Sequence, residues 1–132
     1  MTFIRSAGVD AGGSGVHHLV LRHAARLGDK PALLDAATGR SVTYRALAHG
    51  VERVAAGLAA RGFGRGDVLA VYSPNRPEYA LAAYGAMAAG GTVTGADPAL
   101  GAAELAGQLA ESGARLLVTV PPLLERATAA AR

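Results

Sequence analysis

The polar residues with chemistry to offer next to an apolar frame fall in two short loops. Ser73-Pro74-Asn75 follows the apolar run Val68-Leu69-Ala70-Val71-Tyr72, and Ala96-Asp97-Pro98 follows Thr92-Val93-Thr94. In open parallel sheets, ligands sit beyond the carboxyl ends of the strands, where such loops line a cleft. Ser73, Asn75 and Asp97 are therefore the candidate cleft residues. Two of them also have a structural task. Asn75 stands as N-cap of the following helix, with Glu78 three residues on in the manner of a capping box, and Asp97-Pro98 reads as a turn before a further helix. Capping and turn formation account for Asn75 and Asp97 without a ligand.

Elsewhere the chain is poor in reactive constellations. Gly62-Phe63-Gly64-Arg65-Gly66 has G-x-G-x-G spacing after a helix, whereas a dinucleotide fingerprint needs G-x-G-x-x-G between strand and helix. It reads as a helix stop plus a turn. Gly8 and Gly13-Ser14 match part of a phosphate-loop spacing but lack its Lys and its preceding strand. His17, His18, His23 and His49 include no pair at i, i+4, so no helical metal site is expected. No serine sits in a G-x-S-x-G elbow. Arg65-Gly66-Asp67 has the composition of an adhesion tripeptide but stands as the polar turn entering a strand.

The elements that must position the two loops are legible from periodicity and punctuation. Val68–Tyr72 is short and apolar throughout, as expected of a strand buried on both faces. A helix is expected over Glu78–Ala89, with Pro77 in its first turn and Gly90-Gly91 as its stop, followed by a strand at Thr92-Val93-Thr94. Upstream, Val16, Leu19, Val20, Ala24 and Leu27 share one face of a helix Val16–Leu27. Pro31–Asp35 and Ser41–Thr43 read as a hairpin with Gly39 at positive φ. Thr43 caps the longest helix, Tyr44–Arg61, whose buried stripe holds Leu47, Val51 and Leu58. Downstream come a helix Ala102–Ser112 stopped by Gly113, a strand Arg115–Val120, and a last helix opened by Pro121-Pro122. The expected fold is α/β, a parallel-sheet layer preceded by a short hairpin.

Composition narrows the partners. The 132 residues suit one domain, with residues 1–15 expected as a flexible leader and 16–132 as the folded part. Half the residues are hydrophobic but few are aromatic, so the core must rest on close backbone approach with Leu and Val. The net charge of +3 comes from Arg scattered along the chain, which gives no basic patch for nucleic acid. With no cysteine, disulfides, thiolate chemistry and Cys-based zinc sites are excluded. No apolar run reaches the ~20 residues needed to span a bilayer, and the N-terminus has no apolar leader core, so a cytoplasmic chain is expected.

A series of short phrases then resembles one family. Asp29-Lys30-Pro31-Ala32-Leu33, Thr38-Gly39-Arg40 and Val42-Thr43-Tyr44-Arg45-Ala46-Leu47 are similar to the opening of the adenylate-forming acyl-CoA synthetases. Gly66-Asp67-Val68, Pro74-Asn75-Arg76-Pro77-Glu78, Ala89-Gly90-Gly91, Asp97-Pro98 and Ser112-Gly113-Ala114-Arg115 continue the series in order. Arg45-Ala46 stand where the family commonly has x-Glu, and Asp97-Pro98 with Gly101 where it has Asn-Pro and a capping Thr. The resemblance is to the coumarate and fatty-acid CoA ligase branch.

It implies the first part of a large N-terminal domain whose family forms an acyl-adenylate from a carboxylic acid with ATP and Mg²⁺, then transfers the acyl group to CoA. Family members are several times longer, and the resemblance puts their phosphate loop, nucleotide contacts and catalytic Lys beyond the equivalent of Arg132. It thus implies that residues 16–132 are a partial AMP-binding domain with no catalytic, cofactor or metal residue of its own. This fragment is expected to bind none of these cofactors alone and to need the C-terminal remainder. An alternative is an interaction module that self-associates through the apolar helix Glu78–Ala89, which would be exposed without that remainder.

Overall fold

A computed structural model describes residues 15–132, and the expected leader lies outside them apart from Gly15. Two short helices come first, α1 (Val16–Leu21) and α2 (Ala24–Leu27), where the periodicity predicts one. The chain bends at Arg22-His23 because the two pieces dock on different neighbours, α1 on α4 and α2 on α3. Packing divides the apolar face: Ala24 is buried, while Val16 and Val20 stay exposed.

β1 (Pro31–Leu34) and β2 (Ser41–Thr43) pair antiparallel, with a register irregularity between Pro31 and Leu33. Their turn carries Gly39 at φ +71°, as expected where only glycine escapes the Cβ penalty. Asp35 braces the turn through Oδ1, which accepts from the Ala37 amide at 3.0 Å. α3 (Tyr44–Ala59) begins at Thr43, whose Oγ1 accepts from the Ala46 amide at 3.1 Å. That is the predicted cap, and Leu47 and Val51 lie in the buried stripe.

The second sheet is the frame of the molecule. β3 (Val68–Tyr72) is central, flanked in parallel by β4 (Thr92–Ala96) and β5 (Ala114–Thr119), in the order β4-β3-β5. Its two faces have separate cores. Leu69 and Val71 pack with Phe63, Ala82 and Ala86 beneath α4 (Pro77–Ala88). Tyr72 packs with Leu105 of α5 (Ala102–Ser112) and with Leu123 and Ala127 of the last turn and α6 (Leu124–Ala130). This period-two division is what buries β3 on both sides, each large side chain contributing about 1.5–3 kcal/mol.

Three expectations are corrected. Asn75 does not cap α4. The N-cap is Arg76 at φ −143°, ψ 156°, with no side-chain bond, because the residue before a proline is driven to extended backbone and Pro77 then opens the helix. Glu78 accordingly makes no capping box and turns to Arg40 and Arg76.

Helix α4 is not an exposed apolar face, since only Glu78 and Ala88 along it are exposed. It packs on α3, where a Cβ at Gly85 would stand 2.3 Å from Val54 Cγ1, so the missing side chain permits the close approach. The expected self-association surface is thereby covered from within the chain. The weakened start of α5 is relieved differently: Glu104 Oε2 accepts from the Gly101 amide at 2.9 Å.

Candidate functional site

The connection after β3 passes to α4 on one face, and the connection after β4 passes to α5 on the other. A crevice opens between their carboxyl ends, as it must where successive crossovers take opposite faces. It is an open groove of about 470 Å³. Ser73, Asn75 and Asp97, which sequence reasoning placed on two loops, all line it, together with Pro74, Tyr79 and Pro98.

The groove's side chains are already partly engaged. Ser73 is buried, and its Oγ donates to the Pro74 carbonyl at 2.9 Å. Asp97 Oδ1 accepts from the Ala99 amide at 2.8 Å, which closes the expected turn. Tyr79 lies over Gly95, where an added Cβ would come 2.5 Å from its hydroxyl. Among the described residues, Asp97 is the one carboxylate lining the groove, and no Lys or Arg lines it. The wall therefore suits hydrogen-bond donors and does not suit a phosphate.

Among the described residues no base stands beside Ser73, whose hydroxyl is engaged by the Pro74 carbonyl. Among the described residues no group of three His, Cys, Asp or Glu is placed to hold a metal ion. His49 faces Glu52 at 3.3 Å on an exposed helix face. Asp67 is turned inward, accepting from the Gly64 amide and from Arg115 Nη1, both at 2.8 Å, so the Arg65-Gly66-Asp67 tripeptide is not presented as a ligand.

Sequence reasoning missed the residues that hold the β4–α5 loop in place. Tyr72, fully buried, donates from its hydroxyl to the Leu100 carbonyl at 2.7 Å and to the Pro98 carbonyl at 3.3 Å. Arg126 Nη1 reaches the Leu100 carbonyl at 3.4 Å and the Pro98 carbonyl at 3.5 Å. Gln108 Nε2 donates to the Gly95 carbonyl at 2.8 Å. The available signal was a tyrosine closing an otherwise aliphatic strand, because a buried phenol needs a partner.

Comparison with known proteins places this geometry in context. Residues 20–132 match the family model of the AMP-binding enzymes. The chain is 34% identical over 111 residues to a 4-coumarate–CoA ligase of Pinus taeda, covering 84% of this chain and 21% of the relative. The N-terminal domain of FACL13 from Mycobacterium tuberculosis superposes with a TM-score of 0.78 at 26% identity, over 86% of this chain and 29% of that one. A benzoate CoA ligase from Burkholderia xenovorans gives a TM-score of 0.81 at 25% identity, over 87% and 23%. The chain thus spans about a fifth of the length of the curated relatives it matches.

Proposed function

The chain belongs to the family of AMP-binding enzymes, and from that premise we propose that it is the N-terminal part of an ATP-dependent carboxylic acid–CoA ligase. In the proposed reaction a carboxylate oxygen attacks the α-phosphorus of ATP, with Mg²⁺ as counter-ion, and pyrophosphate leaves. The CoA thiolate then attacks the acyl carbon and AMP leaves. Residues 16–132 contribute scaffold to this reaction: the β4-β3-β5 sheet, its two helical layers, and one wall of a groove.

The observation that carries this reading is the extent of the family match. It runs through both helical layers and every strand of the parallel sheet, while the chain spans only about a fifth of its relatives. The described groove holds no cation and no nucleophile–base pair, which supports a chain that is inert without a remainder. The proposal assigns the enzyme to the cytoplasm and to acyl activation, including fatty acids. No described helix is long and apolar enough to cross a membrane.

ATP–pyrophosphate exchange tests it directly. The 132-residue chain, offered 4-coumarate, benzoate and a medium-chain fatty acid in turn, is expected to stay at background with each. The reading frame downstream of the Arg132 codon is expected to encode a Ser/Thr/Gly-rich loop ending in Lys. Exchange well above background by this chain alone would show the inert-scaffold reading to be wrong.

A further inference from the structure

The parallel sheet has two outer edges, and they are finished differently. Along β4, Gln108 Nε2 donates to the Gly95 carbonyl at 2.8 Å and reaches Thr94 Oγ1 at 3.3 Å, while Tyr79 lies over Gly95. Among the described residues β5 has one strand neighbour, β3, so its other edge presents unpaired backbone donors and acceptors. The one charged residue of β5 does not guard that edge. Arg115 Nη1 is drawn to Asp67 Oδ2 at 2.8 Å and to the Gly62 carbonyl at 2.7 Å, and residues 116–119 carry no charge.

Both faces beside this edge are apolar and open. On the side of α5 and α6 lies a trough of about 330 Å³, with Ala106, Leu109, Leu116, Leu117 and Ala130 in its walls. Val118, two residues from Leu116, stands on the α4 side and is 39% exposed. A strand laid along the edge would therefore bury apolar side chains on both faces, as strands inside a parallel sheet do. In such strand addition the backbone bonds supply affinity and the side-chain pockets supply selectivity.

We propose that the free edge of β5 is where the rest of the enzyme docks: a strand of the downstream polypeptide, apolar on both faces, pairs with β5 and extends the sheet. The choice of occupant rests on the ligase reading. It is supported by extent, since this chain accounts for only 29% of the FACL13 N-terminal domain on which it superposes. One domain of that size has further segments to lay against the sheet, and β4 is the edge already closed by Gln108.

The probe is the polypeptide encoded downstream of the Arg132 codon, made as a separate chain and mixed with the 132-residue chain. Backbone hydrogen exchange at residues 115–119 is expected to slow by about tenfold or more on mixing. Val118→Lys puts a charge where the added strand packs and is expected to weaken association by at least about tenfold, whereas Thr92→Lys on the β4 edge leaves it within about twofold. The exchange measurement on the unaltered chain stands whether or not either variant folds. Association without slowing at 115–119 would overturn the proposal, and so would no association. Equal slowing when the 132-residue chain alone is concentrated would assign the edge to a second copy and overturn it too. ATP–pyrophosphate exchange by the mixture reads the ligase assignment separately: activity without slowing at β5 would remove the docking edge and leave the ligase.

Discussion

Tyr72 joins the last position of β3 to the loop that follows β4. Its ring fills the core between β3, α5 and α6, while its hydroxyl takes two carbonyls of the β4–α5 connection. The loop cannot satisfy these carbonyls within a helix, and Arg126 approaches them only at 3.4–3.5 Å. Tyr72→Phe keeps the ring and removes the donor, and is expected to cost about 1 kcal/mol. A urea unfolding curve would show it as a lower midpoint at unchanged slope. The fate of Asn75 is also settled at this scale. Its side chain was free to cap, but the steric rule at Arg76-Pro77 moved the helix start by one residue.

At the scale of elements, charge joins parts that the backbone leaves separate. The Arg40 hydrogen bond, followed by the surrounding backbone and the Arg40 and Arg76 charges, holds the Glu78 carboxyl below its ordinary value of 4.5. A carboxylate with a depressed folded pKa contributes stability that is present above the unfolded value and lost as the pH falls through the folded one. The Arg40–Glu78 pair is thus charged on both sides at neutral pH and weakens only below the ordinary carboxylate range. A carbon-13 titration of Glu78 should give a midpoint under 4.5, rising toward it in Arg40→Ala. An unchanged midpoint in that variant would remove Arg40 as the cause.

The same scale shows why most elements were legible and where legibility stopped. Thr43 before a long apolar stripe, Gly39 in a turn and Gly113 after a helix are local signals, and the chain obeys them. The bend at Arg22-His23 was not legible, because it follows from docking on two different helices. The exposure of α4 was misread for a related reason. Its cover comes from α3, brought close by Gly85, a contact between residues far apart in sequence.

In the whole molecule, exposed apolar side chains sit on the first and last helices, at Val16, Val20 and Leu124, on the hairpin at Leu34, and at an edge of the parallel sheet, at Val118. β5 is the last strand among the described residues, and α4 covers β3 and β4 but leaves Val118 39% exposed beside it. An unpaired edge with an apolar side chain and little charge invites pairing with another chain. Val118→Lys is expected to delay aggregation on heating, seen as a later rise in light scattering with the unfolding midpoint little changed. An unaltered onset would mean that aggregation starts elsewhere.

The amino-acid sequence by itself determined the layer architecture, the order of strands and helices, and the family, since these rest on local periodicity, caps and short phrases. It also placed Ser73, Asn75 and Asp97 on loops that follow strands. Only the tertiary structure decided that these three share one groove, because β3 and β4 had to be neighbours with their connections on opposite faces. It decided as well that Tyr72 secures one wall of that groove and that Glu78 ties the hairpin beside another. Such contacts depend on which elements meet, and no spacing along the chain encodes that.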